Sequence, residues 1–508
     1  MSAEETNGRG QWKSTLGFIL AASGSAIGLG NIVFFPARAY EFGGGAFYLP
    51  YFIALFLVGI PIMILEFGLG HQTRKAFPLA LGTIAGKPGE FGGWWAILNA
   101  TVITMYYVTI LAWVVGMLFG SLGQLWEPTT DLPAFEPVNP SVYENPGGFF
   151  YNMLSSYKAL LFVLFVWVAN AAIVWRGARS IESAVRIFVP LMWLFMIILI
   201  IRGLTLENGS HGVMFLFNPN FEVMKDIKVW QGAFSQIFFT LSLGFGIMCA
   251  YASYLPKRSD VTNNALMTSC MNCGFEYIAG LAIFSLLFAF ALVPQASTLS
   301  MMFFVVPKGI ANFPAGAEFF GILFFVLLLL AGLSSSVSLV EAITSSIIDK
   351  FGAKRSTVVV AVTILGCVGS MFFAIPTVID KGLNATGTVG LTLLDLMDHW
   401  VFYYGLMMAG LMQCLIIGWG YGAKKLRENI NKRSKFRLPS WIDWQWKLVI
   451  PIILAAILIY SAVDEKGMYG ANSPVEFGKA LSWTCFFVWI VGIAIIAAVL
   501  TLIPGKKE

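Results

Sequence analysis

The groups in this chain best placed for chemistry are oxygens and amides set inside apolar runs. Gly24-Ser25-Ala26-Ile27-Gly28-Leu29-Gly30-Asn31 puts three glycines within seven residues of one such run, and Ser242-Leu243-Gly244-Phe245-Gly246 repeats the device. Each glycine weakens a helix by about 1 kcal/mol relative to alanine. Where a helix opens, released carbonyls suit a hard cation such as Na⁺, and unpaired N–H groups at the helix end suit a carboxylate. Ser334-Ser335-Ser336 adds uncharged oxygens, although small residues there also allow close helix packing. Glu276 follows Asn272 by one helical turn, so the two share a face. A carboxylate inside an apolar run is costly and marks function by default.

The elements that position these groups are membrane helices. Hydrophobic residues make up 58% of the chain and charged residues 12%, with a mean hydropathy of +0.77, outside the usual soluble range. About twelve runs reach the roughly 20 residues needed to span a bilayer, the first near 14–37 and the last near 479–503. Broken backbone survives in lipid only beside protein or a cavity. Two interrupted spans in corresponding halves point to a transporter-type site. The polar N-terminus carries no cleavable leader pattern, so the first span is expected to be retained.

Lys and Arg gather in alternate short loops, including Arg74, Lys75, Lys87, Lys257, Arg258 and seven positions between 422 and 445. Both termini are therefore expected on the cytoplasmic side, and the net charge of +5 needs no nucleic-acid partner. The six cysteines all lie in apolar stretches, and the Cys270–Cys273 pair has no second pair to complete a zinc site. No triad, metal cluster or nucleotide loop argues for an enzyme. The expected domain plan is 1–203 for a polar start and five-helix repeat, 204–421 for a second, inverted repeat, and 422–508 for a basic cytoplasmic loop with two more helices. Segment 293–318 has room for a short helical hairpin.

The motifs Gly28-Leu29-Gly30-Asn31, Gly43-Gly44-Gly45-Ala46-Phe47, Gln236 through Gly246, and Ala331-Gly332-Leu333-Ser334-Ser335-Ser336 carry a resemblance. Along essentially its whole length the chain resembles the neurotransmitter:sodium symporter family, particularly bacterial amino-acid transporters of the leucine-transporter type. The resemblance implies an all-α membrane fold of about twelve helices, a 5+5 inverted repeat with helices 1 and 6 interrupted, and two additional C-terminal helices. It implies two Na⁺ sites, the first at Ala26, Asn31, Thr240 and Asn272, the second at Gly24, Ile27, Ala331, Ser334 and Ser335. A substrate carboxylate would meet the amides of Leu29 and Gly30 and the hydroxyl of Tyr107, near Ala26 and Thr240. Its side chain would lie among Ile103, Phe239, Ser242, Phe245, Ser335 and Leu339. Relatives that carry amines lacking a carboxylate place an Asp near the first break, where this chain has Gly24, so an α-amino acid with a small or medium apolar side chain is expected.

In chloride-dependent relatives the position of Glu276 holds a small hydroxyl residue, and the anion sits with partners matched here by Tyr51 and Gln236. The resemblance therefore implies a fixed carboxylate in place of chloride, hence chloride-independent transport. The cost of burying its charge also makes Glu276 a candidate proton carrier when the sodium and substrate leave. The inner gate would comprise Arg9, Trp12, Tyr254 and Asp349. Glu66 and Glu341 are expected to be structural ties within the bundle. The outer gate departs from the pattern: Phe34 stands where relatives have Arg, while the facing acid is present as Asp398. Either Arg38, one turn outward, pairs with Asp398, or Phe34 closes the site by packing. Ser180, ten residues before Pro190, replaces a Gly that helps unwind the fifth helix in relatives.

The reading is a Na⁺-coupled symporter working by alternating access in the plasma (inner) membrane, with two Na⁺ and no chloride, and with lipid and an amino acid as partners. The alternatives are a non-transporting amino-acid sensor and a symporter coupled to H⁺ or Cl⁻. Oligomeric state and the preferred amino acid are left open.

Overall fold

The computed structural model describes residues 10–122, 146–295, 297–379, 389–465, 469 and 478–506. All regular structure among them is helical. The chain opens with α1, whose inner arm Thr15–Ala26 and outer arm Gly30–Glu41 meet at a 57° bend. Next come α2 (Gly44–Thr73), α3 (Phe77–Ser121), α4 (Lys158–Val174, entered from Pro146–Leu154 at an 82° bend) and α5 (Ala178–Thr205). α6 is split into Ile227–Thr240 and Ile247–Ser253. The remainder are α7 (Val261–Ala289), α8 (Ala317–Phe351), α9 (Arg355–Ile379), α10 (Leu391–Asn431), α11 (Ile442–Asp464) and α12 (Ala480–Leu502).

Among the described residues nine helices are long and apolar enough to cross a membrane, α3 with a kink at Gly86 and α10 with one at Gly422, and α1 and α4 raise this to eleven when each bent pair counts as one. The twelve-span expectation further requires the two halves of α6 to form one span. Two details differ from expectation. The basic segment from 422 is helical through Asn431, because Leu426 and Ile430 are buried against Gly68 of α2, while its charged residues take the other face. Segment 293–318 forms one short helix, Thr298–Ala311, rather than a hairpin.

The breaks follow from glycine. The inner arm of α1 stops at Ala26, Ile27 is extended at φ −72° and ψ 94°, and the chain resumes as a π-helical turn at Gly30–Phe34. In α6, Gly244 (φ 79°) and Gly246 (φ 76°) adopt left-handed backbone, which costs glycine little. The freed amide of Gly244 donates to Glu66 Oε1 on α2 at 2.8 Å. Gln413 Nε2 on α10 donates to the same oxygen at 2.9 Å. One fully buried carboxylate thus ties α2, α10 and the α6 break together.

Removing a buried acceptor strands its donors at about 1–3 kcal/mol. Glu66→Ala should therefore lower the melting temperature of the purified protein, read by size-exclusion after heating. Glu66→Gln, which keeps an acceptor oxygen, should lose less. Equal melting of Glu66→Ala and the parent would remove the carboxylate from this role.

Candidate functional site

The two breaks face each other across a cavity of about 130 Å³. α1 supplies Ala26, Leu29 and Gly30, α3 supplies Ile103 and Tyr107, α6 supplies Phe239, Thr240, Ser242 and Phe245, and α8 supplies Ser335 and Leu339. The residues expected around a substrate therefore line one space. Its polar end is the α1 break. A Cβ on Gly28 would lie 2.9 Å from Ser335 Oγ and 3.2 Å from the Tyr107 hydroxyl, so only glycine lets both hydroxyls reach this backbone. The Tyr107 hydroxyl is buried between Ser335 and the backbone of Leu29. A phenol beside helix-end amides is a natural partner for a carboxylate.

The other end is uncharged, formed by Ile103, Phe239, Phe245 and Leu339 together with Ile247 and Phe402. Phe402 was not foreseen. It stacks on Phe239 with centroids 4.2 Å apart and planes at 27°, from the π-helical stretch Asp398–Leu406 of α10. A phenylalanine in an aromatic run carries no periodic signal that aims it at a distant cavity.

Beside the polar end lies a buried amide–hydroxyl cluster. Asn31 Oδ1 accepts from Gly28 N at 2.8 Å, and Asn31 Nδ2 donates to Thr240 Oγ1 at 2.9 Å and Asn272 Oδ1 at 2.8 Å. Ala26, on the cavity wall, ends the arm that leads into this cluster. Thr240 Oγ1 in turn donates to Glu276 Oε1 at 2.7 Å. Gln236 Nε2 donates to the same oxygen at 2.8 Å, and the Tyr51 hydroxyl donates to Glu276 Oε2. Glu276 is fully buried with three neutral donors, so its surroundings contain hydrogen bonds and no cation of their own.

The second group of oxygens gathers where α8 crosses the inner arm of α1. Ser334 Oγ donates to Gly24 O at 2.6 Å and is 2.8 Å from Ala331 O. Ser335 Oγ donates to Ser25 O at 2.9 Å and reaches Ala331 O at 3.3 Å. Ile27, next along α1, is the extended residue of the break. These hydroxyls and carbonyls form an uncharged oxygen cluster of the kind a hard monovalent cation takes. The structure brings the serines to the α1 backbone, so packing alone does not account for them.

At the outer mouth Arg38 and Asp398 each have other partners. Arg38 bonds Glu41 at 2.9 Å, reaches the Tyr403 hydroxyl at 3.2 Å and lies 4.9 Å from the Phe34 ring centroid. Asp398 instead accepts from the Tyr106 hydroxyl at 2.7 Å. Glu41 sits on the same helix at i+3, within easier reach of Arg38 than an acid on α10. Phe34 itself lines the cavity.

At the inner end Arg9 falls outside the described residues. Trp12 Nε1 donates to Tyr251 O at 2.8 Å, and Trp12 N to Tyr254 O at 3.4 Å. Tyr254 donates to Glu341 Oε1 at 2.6 Å, and Glu341 is ion-paired with Arg355. Asp349 accepts from Ala76 N at 2.6 Å. Glu341 and Arg355 thus join the expected inner-gate residues, a link that sequence spacing does not display.

Comparison with known proteins agrees with this geometry. The family model described as the sodium:neurotransmitter symporter family matches residues 9–133 and 149–503. An uncharacterized sodium-dependent transporter of Methanocaldococcus jannaschii is 38% identical, over 95% of this chain and 97% of its own. The human sodium- and chloride-dependent neutral and basic amino acid transporter B(0+) is 28% identical, over 99% of this chain and 87% of its own. The crystal structure of MhsT in complex with L-phenylalanine superimposes with a TM-score of 0.75 at 30% identity, covering 89% of this chain and 99% of that one.

The crowding at Gly28 sets a direct test. Gly28→Ala should weaken binding of a labelled amino acid by about tenfold or more, the effect of roughly 1.4 kcal/mol, while melting temperature holds. Unchanged affinity would place the ligand elsewhere.

Proposed function

The chain belongs to the sodium:neurotransmitter symporter family, and from that premise we propose that it imports a small or medium apolar α-amino acid together with two Na⁺, without chloride. As a family member it is a multi-pass, all-helical sodium-dependent transporter and not an enzyme. The observation that carries the substrate assignment is the cavity at the two breaks. One end offers Leu29, Gly30 and Tyr107 for a carboxylate, and the other is a wall of uncharged side chains. Gly24 stands where amine carriers of the family would need an acid.

The first Na⁺ takes oxygens of Ala26, Asn31, Thr240 and Asn272, completed by the substrate carboxylate. The second takes those of Gly24, Ile27, Ala331, Ser334 and Ser335. Binding of the first Na⁺ and of the substrate is thereby linked, because the carboxylate completes that ion's shell. Transport proceeds by alternating access across two inverted five-helix repeats, with Phe34, Phe239 and Phe402 closing the outer side. The Trp12–Tyr254–Glu341–Arg355 contacts, with Asp349 nearby, close the inner side. At 100 mV each net charge moved inward contributes about 2.3 kcal/mol. The loop charges favour cytoplasmic termini, and the proposed location is the plasma (inner) membrane.

Glu276 supplies the negative charge that chloride supplies in relatives, held by Tyr51, Gln236 and Thr240. A panel of labelled amino acids offered to proteoliposomes should show uptake of apolar members under a Na⁺ gradient and none when choline replaces Na⁺. Uptake that persists in choline would reject sodium coupling. Removing chloride should not slow the parent, whereas Glu276→Ser should make uptake require it. A functional Glu276→Ser protein indifferent to chloride would reject the assignment.

A further inference from the structure

The start of α1 is held by a carboxylate from another helix. Ser14 is the N-cap, accepting from Gly17 N at 2.9 Å, and the first turn of α1 contains no acidic residue. A negative charge is favoured at such an end, and α5 provides it. Glu182 is only 1% exposed. Its Oε2 accepts from Lys13 N at 2.7 Å, and its Oε1 accepts from Ser14 Oγ at 3.0 Å. Arg186, one turn along α5, donates to Glu182 Oε1 at 2.7 Å and to Ser14 Oγ at 2.9 Å. A Cβ on Gly17 would overlap the Glu182 carboxyl group, so glycine is required for the carboxylate to reach in.

The same two helices touch again two turns further on. A Cβ on Gly24 would lie 2.8 Å from Val189 Cγ2. Gly17 and Gly24 are seven residues apart, as are Glu182 and Val189, so α1 and α5 run parallel along one seam with two close approaches. The lower approach is the carboxylate grip. The upper one is Gly24, whose carbonyl belongs to the second oxygen cluster.

We propose that Glu182 is a positioning residue that pins the inner arm of α1 to α5 and so keeps the second sodium site assembled. This rests on the sodium assignment of that cluster made above. The ion and the pin hold the same arm at opposite ends of one seam. Without the pin a larger fraction of molecules has the arm displaced, and apparent sodium affinity falls by that fraction.

The test is equilibrium ²²Na⁺ binding to the purified full-length chain in the absence of amino acid. Glu182→Gln should raise the half-saturating Na⁺ concentration by about fivefold or more, the lower end of typical coupling between sites, with binding capacity within twofold of the parent. Glu182→Asp should fall between the two. Gly17→Ala should reproduce the shift by displacing the carboxylate, and Arg186→Gln should give a smaller one. Unchanged half-saturation with capacity retained would overturn the pin while leaving the sodium site intact. Lost capacity and lowered melting temperature across all four variants, without a shift in the remaining fraction, would overturn it in favour of a purely structural role. Absence of ²²Na⁺ binding by the parent would overturn the sodium assignment, and the pin with it.

Discussion

An apolar slab allows no unpaired backbone, and this chain breaks two of its helices inside one. The consequences of that constraint organise the rest of the structure. At the α1 break the amide of Gly28 is taken by Asn31, and the carbonyls of Gly24 and Ser25 are taken by Ser334 and Ser335. At the α6 break the amide of Gly244 is taken by Glu66. Ser242 Oγ also reaches across to Ser25 O at 3.3 Å, joining one break to the other. Apart from Asn31, which bridges the two arms of α1 itself, each partner is a side chain from another helix, so satisfying the breaks also fixes how α1, α2, α6 and α8 pack. At the α1 break Asn31, Ser334 and Ser335, which hold the opened backbone, are also residues proposed to hold sodium, so site and scaffold share side chains there.

Three buried acids do different work in this arrangement. Glu66 accepts a freed backbone amide, Glu276 gathers three neutral donors beside the first oxygen cluster, and Glu182 caps the start of α1. Only Glu182 has a basic partner among these contacts, and Arg186 is itself half exposed. Burying a charge without a counter-ion is expensive, which is why Glu66 and Glu276 are surrounded by donors instead. In the proposed function a cation taken up next to Glu276 changes this local balance, which would link the fixed carboxylate to sodium.

The breaks were legible because glycine in an apolar helix has few uses, and Ser334-Ser335 gained meaning from standing in a second such run. Family motifs then carried the substrate wall residue by residue, and those side chains do share one cavity. What sequence did not show depends on helices meeting at a distance. Phe402 lines the cavity from a stretch of α10 that is π-helical from Asp398, a winding that the sequence pattern does not announce. Arg38 turns to Glu41, three residues along its own helix, as helix spacing allows, and to Tyr403 on α10, which no spacing rule selects. Glu182 carries no signal in the sequence, and its contact with α1 depends on Gly17 lying beneath it. Helix ends were also the weaker part of the fold reading, as the extension of α10 through Asn431 illustrates.

The central claim is that one cavity joins the substrate carboxylate to sodium through the α1 break. Equilibrium binding of the preferred labelled amino acid, titrated with Na⁺ and competed with its decarboxylated amine, tests this directly. The account predicts no binding in choline, a cooperative rise with Na⁺, and no competition from the amine. Binding that is indifferent to Na⁺, or an amine that competes as well as the acid, would contradict it.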